Sequence, residues 1–335
     1  MAKILLHSLF PDGASAWQRS PFNAFSQSAT NSKHQLVSEP KEADIIFFTD
    51  EGLSPVTDSL SDPLYRRHWD KCFIFAQSDY PIPLVPGLYA SLRRWEYDHS
   101  WCRTGFYVWD CPSRDSEIVY TRYDQIPFPE NPRYLCSFAG SCQNARVRQK
   151  LKEMQHPRYF VQDVNRDTIT ANTLGDREWI KRLHDQYVAL IGNSKFSLCP
   201  RGNGPNTFRL YESMAMGRAP VILADEWVAP PEIPWDEFSI RIPEHDYQSI
   251  FRILEEQEDR AKELGQRARE VWEECFHPDV VFDRAVDAFL EIRSFGRTTK
   301  RSDHRLRLAR VFPKIAKLSL HGAKTRLLTR KKLAT

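Results

Sequence analysis

Between residues 194 and 225 the sequence SKFSLCPRGNGPNTFRLYESMAMGRAPVILAD gathers residue types that hold a phosphorylated ligand. Gly202 and Gly204 stand in the loop 199–206, with Asn203 between them. Lacking Cβ atoms, such glycines let the backbone approach a ligand closely. The loop runs into a predicted helix near Thr207, and a helix start offers unpaired N–H groups and the positive end of a dipole. Arg201 lies just before that start and Arg209 just inside it. A guanidinium fork matches phosphate oxygens in geometry. Glu212 follows Arg209 by one turn, so the two share a helix face. Its carboxylate suits the paired hydroxyls of a ribose. Together these residues read as a clamp for a nucleoside diphosphate; an ordinary surface Arg–Glu helix pair would use the same side chains.

Two familiar phosphate loops are excluded. No Gly-Lys-[Ser/Thr] follows the glycines, and Gly-x-Gly-x-x-Gly is absent. Redox dinucleotide chemistry and P-loop phosphate transfer therefore lose support.

The elements that must position the clamp are legible as short apolar runs. Residues 3–9, 43–49 and 71–76 read as strands covered on both faces, with polar or helix-like segments between them. A second series has strands at 133–139, 159–161, 195–198 and 219–223. Its helices are expected at 144–154, 178–191, 207–216, 257–276 and 279–292. The pattern predicts two doubly wound α/β units. Between them, Pro81, Pro83, Pro86, Pro112, Pro127, Pro129 and Pro132 mark a stretch read as containing an interdomain connection. The division is 1–132, 133–296 and a basic tail, 297–335. Open sheets bind ligands beyond the carboxyl ends of their strands. That places Asp79, Gly140-Ser141, Cys199 and Asp225 at a cleft. Asp225 and Glu226 could touch a ligand or cap a helix.

Composition bounds the class. Of 335 residues, 41% are hydrophobic and 27% charged, an ordinary soluble mix. No apolar run approaches the ~18–20 residues of a membrane span. The opening residues carry too short an apolar stretch for an export signal. Seven cysteines without a Cys-x-x-Cys suggest reduced thiols and a cytoplasmic location. The net charge of +3 hides an asymmetry: residues 297–335 hold 13 Lys/Arg and one acid, Asp303. A non-specific nucleic-acid binder would spread basic charge over its folded face, so no nucleic acid is expected. Leu308, Val311, Phe312, Ile315 and Leu318 form a partial apolar stripe among those cations. Such a segment can lie on an anionic membrane surface, or remain a solvated tail.

The run from Ser194 to Asp225 resembles the signature of exostosin-like glycosyltransferases. The resemblance rests on Cys199-Pro200-Arg201-Gly202, Phe208-Arg209-Leu210-Tyr211-Glu212 and Ala215 to Ile222. The stretch from Leu135 to Gly140, with Arg146 and Arg148, is similar to the opening of that family's nucleotide-binding half. Phe238 to Glu244 is similar to its closing strand. The likeness spans about 133–244 and is faint over 1–132. The Gly-Arg-Asp-His segment common in animal and plant members is missing before Phe73.

The resemblance implies a GT-B architecture, two facing Rossmann-like domains with a cleft. It implies sugar transfer with inversion from a nucleotide sugar to a glycan or lipid-linked glycan, without an essential metal or other cofactor, in surface polysaccharide assembly. Arg201 and Arg209 are assigned to the diphosphate, Glu212 to the ribose, and Gly140 with Ser141 to the phosphate side of the donor. Inverting transfer needs a general base from the first unit. Asp79 stands first, with Asp12, Asp50, Glu51 and His7 as rivals. A catalytically inactive carbohydrate- or nucleotide-binding partner subunit is the alternative.

Overall fold

The computed structural model describes residues 1–9, 16–50, 59–108, 126–164, 167, 170–171, 174–307 and 309. The first unit is a parallel sheet of six strands. They are β1 (Lys3–Ser8), β2 (Gln35–Leu36), β3 (Ile45–Asp50), β4 (Cys72–Ala76), β5 (Gly87–Tyr89) and β6 (Cys102–Thr104). Their order is β2-β1-β3-β4-β5-β6, and every pair is parallel. The expected apolar runs form β1, β3 and β4. In β3, Ile45, Ile46, Phe47 and Phe48 are all fully buried, because both faces are covered. Alternation splits them: Ile45 and Phe47 join one cluster, Ile46 and Phe48 the other. Helix α1 (Ala16–Ser28) covers the first face, and α2 (Pro63–His68) follows on the way into β4.

The Pro-rich stretch holds two short strands that its sequence did not reveal. Within it, β5 and β6 extend the first sheet, so residues 87–104 belong to that unit, inside the 1–132 division.

The second unit is a parallel sheet of five strands: β7 (Tyr134–Gly140), β8 (Tyr159–Asp163), β9 (Ser194–Pro200), β10 (Ala219–Leu223) and β11 (Ile240–Arg241). The order is β11-β10-β9-β7-β8. Its helices are α3 (Arg146–Glu153), α4 (Arg177–Gly192), α5 (Phe208–Ala215), α6 (Ile250–Glu256) and α7 (Ala261–Cys275). Helix α5 stops where Gly217 takes a left-handed φ of 63°. Gly217 N then donates to Met214 O and Arg218 N to Ser213 O, both at 2.9 Å.

The last long helix, α8 (Val281–Ser294), follows α7 in sequence but packs on the first sheet. The Phe289 ring sits 4.8 Å from Phe47 and 5.3 Å from Phe73, and Phe282 stacks on Phe47 at 6.0 Å. The boundary at 296 therefore does not coincide with the packing. An apolar stripe shows that a helix has a buried face, not which sheet receives it.

The start of the basic tail is also docked on the first unit. Arg297 Nη1 reaches Asp98 Oδ2 at 3.0 Å. Arg307, buried, donates to Pro83 O at 2.8 Å and Glu96 O at 3.1 Å. The His304 ring packs edge-on against Trp69 and Trp101 and lies 3.1 Å from Tyr65 Oη. Residues 308 and 310–335 lie outside the described residues, and with them the stripe from Leu308 to Leu318. Among the described residues no helix is long and apolar enough to cross a membrane.

Candidate active site

Both sheets reverse direction of winding at one place, between β1 and β3 in the first and between β7 and β9 in the second. At such a switch point neighbouring βα loops diverge and leave a crevice. In the second sheet the two exits are Gly140-Ser141 and the glycine loop after Pro200. The chain bonds them together with Arg148, on the buried face of α3 beside Val147 and Leu151. Arg148 donates to Ser141 O at 3.2 Å, Pro200 O at 3.0 Å and Arg201 O at 2.8 Å. Among the described residues its hydrogen-bond acceptors are all main-chain carbonyls, and no carboxylate pairs with it directly. Burial, reinforced by the charge of Arg209, pulls its pKa down to about 10.

Arg209 is buried as well and turns back from α5 to donate to Ala139 O. Its guanidinium lies 4.5 Å from the Phe138 ring centre, and that of Arg148 lies 5.3 Å from the same ring. A Cβ on Gly140 would stand 2.9 Å from Arg209 Nη2, so only glycine leaves this cation room. Glu212 accepts from the hydroxyl of Tyr187, from α4. Burial pushes the Glu212 carboxyl above its ordinary value, against the opposing pull of Tyr187 and Arg209. Gly140, Arg209 and Glu212 thus lie in one cluster.

Arg201 belongs to a neighbouring group. Its Nε lies 2.9 and 3.0 Å from the two oxygens of Glu244, which also accepts from Asp225 N at 3.2 Å. Asp225 returns the contact by accepting from Glu244 N at 3.1 Å. Glu226 pairs across the cleft with Arg93 at 3.1 Å. Ser141 Oγ donates to Asn144 Oδ1 at 2.9 Å.

The first unit meets the glycine loop directly. Gly204 is so close to it that a Cβ would lie 2.6 Å from Ser91 Oγ and 3.0 Å from Asp79 O. Asn206 donates to Ala90 O at 2.8 Å and accepts from Thr207 N at 2.8 Å. Phe208, at the start of α5, stacks on Tyr107. Residues 204–208 therefore face protein, and the buried cations Arg148 and Arg209 lie instead beside Gly202 and Gly140. The Asp79 side chain is bonded to Asn203 and Tyr107. Burial raises its pKa above the ordinary 3.8, against the opposing hydrogen bonds from Asn203 and Tyr107 and the charges of Arg148 and Arg93.

Of the rival carboxylates, Asp12 and Glu51 lie outside the described residues, as does the Asp50 side chain. His7 sits at the switch point of the first sheet, its Nε2 2.9 Å from Asp62 Oδ2. Asp62 also caps α2 by accepting from Leu64 N at 2.7 Å. Arg148 is the residue whose place sequence reasoning missed; the signal was a cation on the same helical stripe as Leu151. The six described cysteines are free thiols, Cys275 half-buried and the others buried. Among the described residues no cluster of His, Cys, Asp or Glu is arranged to hold a metal ion.

Two parallel α/β sheets of this strand order, with the glycine loop of the second meeting the first, define the GT-B class of architecture. The exostosin GT47 domain matches residues 89–257, half of the chain, and the chain belongs to that family. Exostosin-1 homolog of Caenorhabditis elegans is 36% identical over 91 residues, 26% of this chain and 24% of that protein. Exostosin-1 of Drosophila melanogaster is 27% identical over 165 residues, 44% of this chain and 21% of that one. The match thus spans about a quarter or less of these relatives. Among solved structures, Anabaena HepE in complex with UDP-glucose has a TM-score of 0.45 at 10% identity, covering 87% of this chain and 100% of that one. The architecture rests on the strand orders above, not on that likeness.

Proposed function

We propose that this chain is an inverting glycosyltransferase that moves a sugar from a nucleoside diphosphate to a hydroxyl of a glycan or lipid-linked glycan, in surface polysaccharide assembly. One observation carries the reading. A carboxylate from the first unit, Asp79, meets the glycine loop of the second beside two buried guanidinium groups, Arg148 and Arg209. Base and anion seat then stand on opposite sides of one gap.

In this reading Asp79 takes the proton of the acceptor hydroxyl. The acceptor oxygen forms a bond to the anomeric carbon from the face opposite the nucleotide. The bond from that carbon to the phosphate oxygen breaks, and the diphosphate leaves with the electron pair. Arg148 and Arg209 stabilise its growing charge, and fixed cations in a buried site do so without solvent reorganisation. Arg201, held by Glu244, reaches the diphosphate from the loop, Gly202 lies against Arg148, and Glu212 takes the ribose. No metal is required, so a chelator leaves the rate unchanged. The tail beyond Arg307 seats the enzyme on an anionic membrane surface at the cytoplasmic face.

The test is diphosphate release from a panel of UDP-, GDP- and dTDP-sugars. UDP-glucuronic acid comes first, because a probable glucuronosyltransferase of Oryza sativa subsp. japonica is 43% identical over 70 residues. Asp79→Asn lowers kcat by roughly 10²–10⁴-fold with donor-induced thermal stabilisation retained. Arg209→Ala and Glu212→Ala lose that stabilisation. Wild-type turnover in all three variants overturns the assignment.

A further inference from the structure

Tyr107 occupies a place that neither the base nor the donor seat explains. It is buried, and its phenol oxygen lies 2.8 Å from Ser91 Oγ and 3.4 Å from Asp79 Oδ1. Its ring stacks on Phe208 with centroids 3.8 Å apart and planes 28° apart. It also meets Tyr211 edge-on at 6.1 Å. Phe208 and Tyr211 belong to α5, the helix that carries Arg209 and Glu212. Phenylalanine would make the same stack. A buried hydroxyl is costly unless it is hydrogen-bonded, and this one is bonded to the carboxylate that faces the glycine loop.

We propose that Tyr107 is the positioning residue of Asp79. Its hydroxyl, held by Ser91, sets the carboxylate against the Asn203–Gly204 turn, and its ring ties that setting to the donor helix. The inference rests on Asp79 acting as the base. An ionised carboxylate only accepts, so the Tyr107 hydroxyl donates to Asp79 and the Ser91 hydroxyl donates to Tyr107. A donor to the charged form of a carboxyl favours that form. The other groups facing Asp79 are Asn203 from the glycine loop, Arg148 from α3, and Arg93 from the segment after β5. Among the described residues, only the Tyr107 hydroxyl couples Asp79 to a ring packed on α5.

The experiment is a carboxyl ¹³C NMR titration of the full chain labelled at aspartate, with the Asp79 signal identified by its loss in Asp79→Asn. In Tyr107→Phe the ring and its stack remain and the donated hydrogen is gone. The Asp79 midpoint then rises by roughly half a pH unit or more, and the acid limb of turnover rises with it. Thermal stabilisation by UDP or GDP, whichever binds the wild type, stays unchanged. Ser91→Ala moves the midpoint the same way by less, and carries the test if Tyr107→Phe does not fold. An unmoved midpoint overturns the positioning role. Full turnover in Asp79→Asn is a separate result: it overturns the base assignment, whatever the midpoint does.

Discussion

Asp79 is a carboxylate kept above its ordinary pKa mainly by burial, and that has a consequence for stability as well as for turnover. An acid whose folded pKa is raised contributes stability while protonated, below the unfolded value, and loses it as pH rises through the folded pKa. Ionised Asp79 therefore weakens the fold at neutral pH. Asp79→Asn is expected to melt at a higher temperature than wild type at pH 7, with the difference vanishing below about pH 4. Thermal melts at the two pH values check this. Arg148 makes the opposite kind of contribution. Arg148→Ala strands three carbonyls at the mouths of β7 and β9, and should cost about 2–4 kcal/mol of stability after the loops relax. Urea unfolding measures it. The sequence pointed to the side-chain types proposed for the clamp. It did not show that Arg201 pairs with Glu244, 43 residues away, because that contact depends on how β9 and β11 flank β10.

At the scale of elements, the short apolar runs of β3, β4 and β10 were legible because each is buried on both faces. Strand Ala219–Leu223 falls where its apolar run predicts. The three-residue strands β5 and β6 were not legible. Three residues carry no period, and the prolines around them argue for loop. Helix α8 was legible as a helix but not as a partner of the first sheet. Its aromatic contacts make that partnership testable. Phe289→Ala opens a cavity beside Phe47 and Phe73, at a cost of about 3–5 kcal/mol. Denaturant unfolding should report the loss. Gly204→Ala acts on the cleft instead. Its Cβ meets Ser91 Oγ and the Asp79 main chain, so the loop must withdraw. Turnover should fall well below wild type while the melting temperature changes little.

At the scale of the whole molecule, the charge asymmetry resolves into two parts. Arg297 and Arg307 hold Asp98. Burial pushes the Asp98 carboxyl up, but the Ser100 hydroxyl and Arg297 outweigh it and keep it below the ordinary range. These cations are structural. The rest of the tail, from residue 308 on, holds eight Lys/Arg and no acid. A chain ending at 307 should therefore melt like the full chain, whereas one ending at 296 should melt several degrees lower. In flotation with phosphatidylglycerol vesicles, the full chain should rise and the chain ending at 307 should stay behind. Equal behaviour of the two would exclude the tail as a lipid anchor.

The return of α8 to the sheet where the chain began has a mechanical outcome. The polypeptide passes between the two units twice, once outward before β7 and once back after α7. A protease nick in either passage leaves the halves joined by the other. Two strands of chain across one gap favour bending about a shared axis over drifting apart, so any opening that admits substrates would follow a narrow arc.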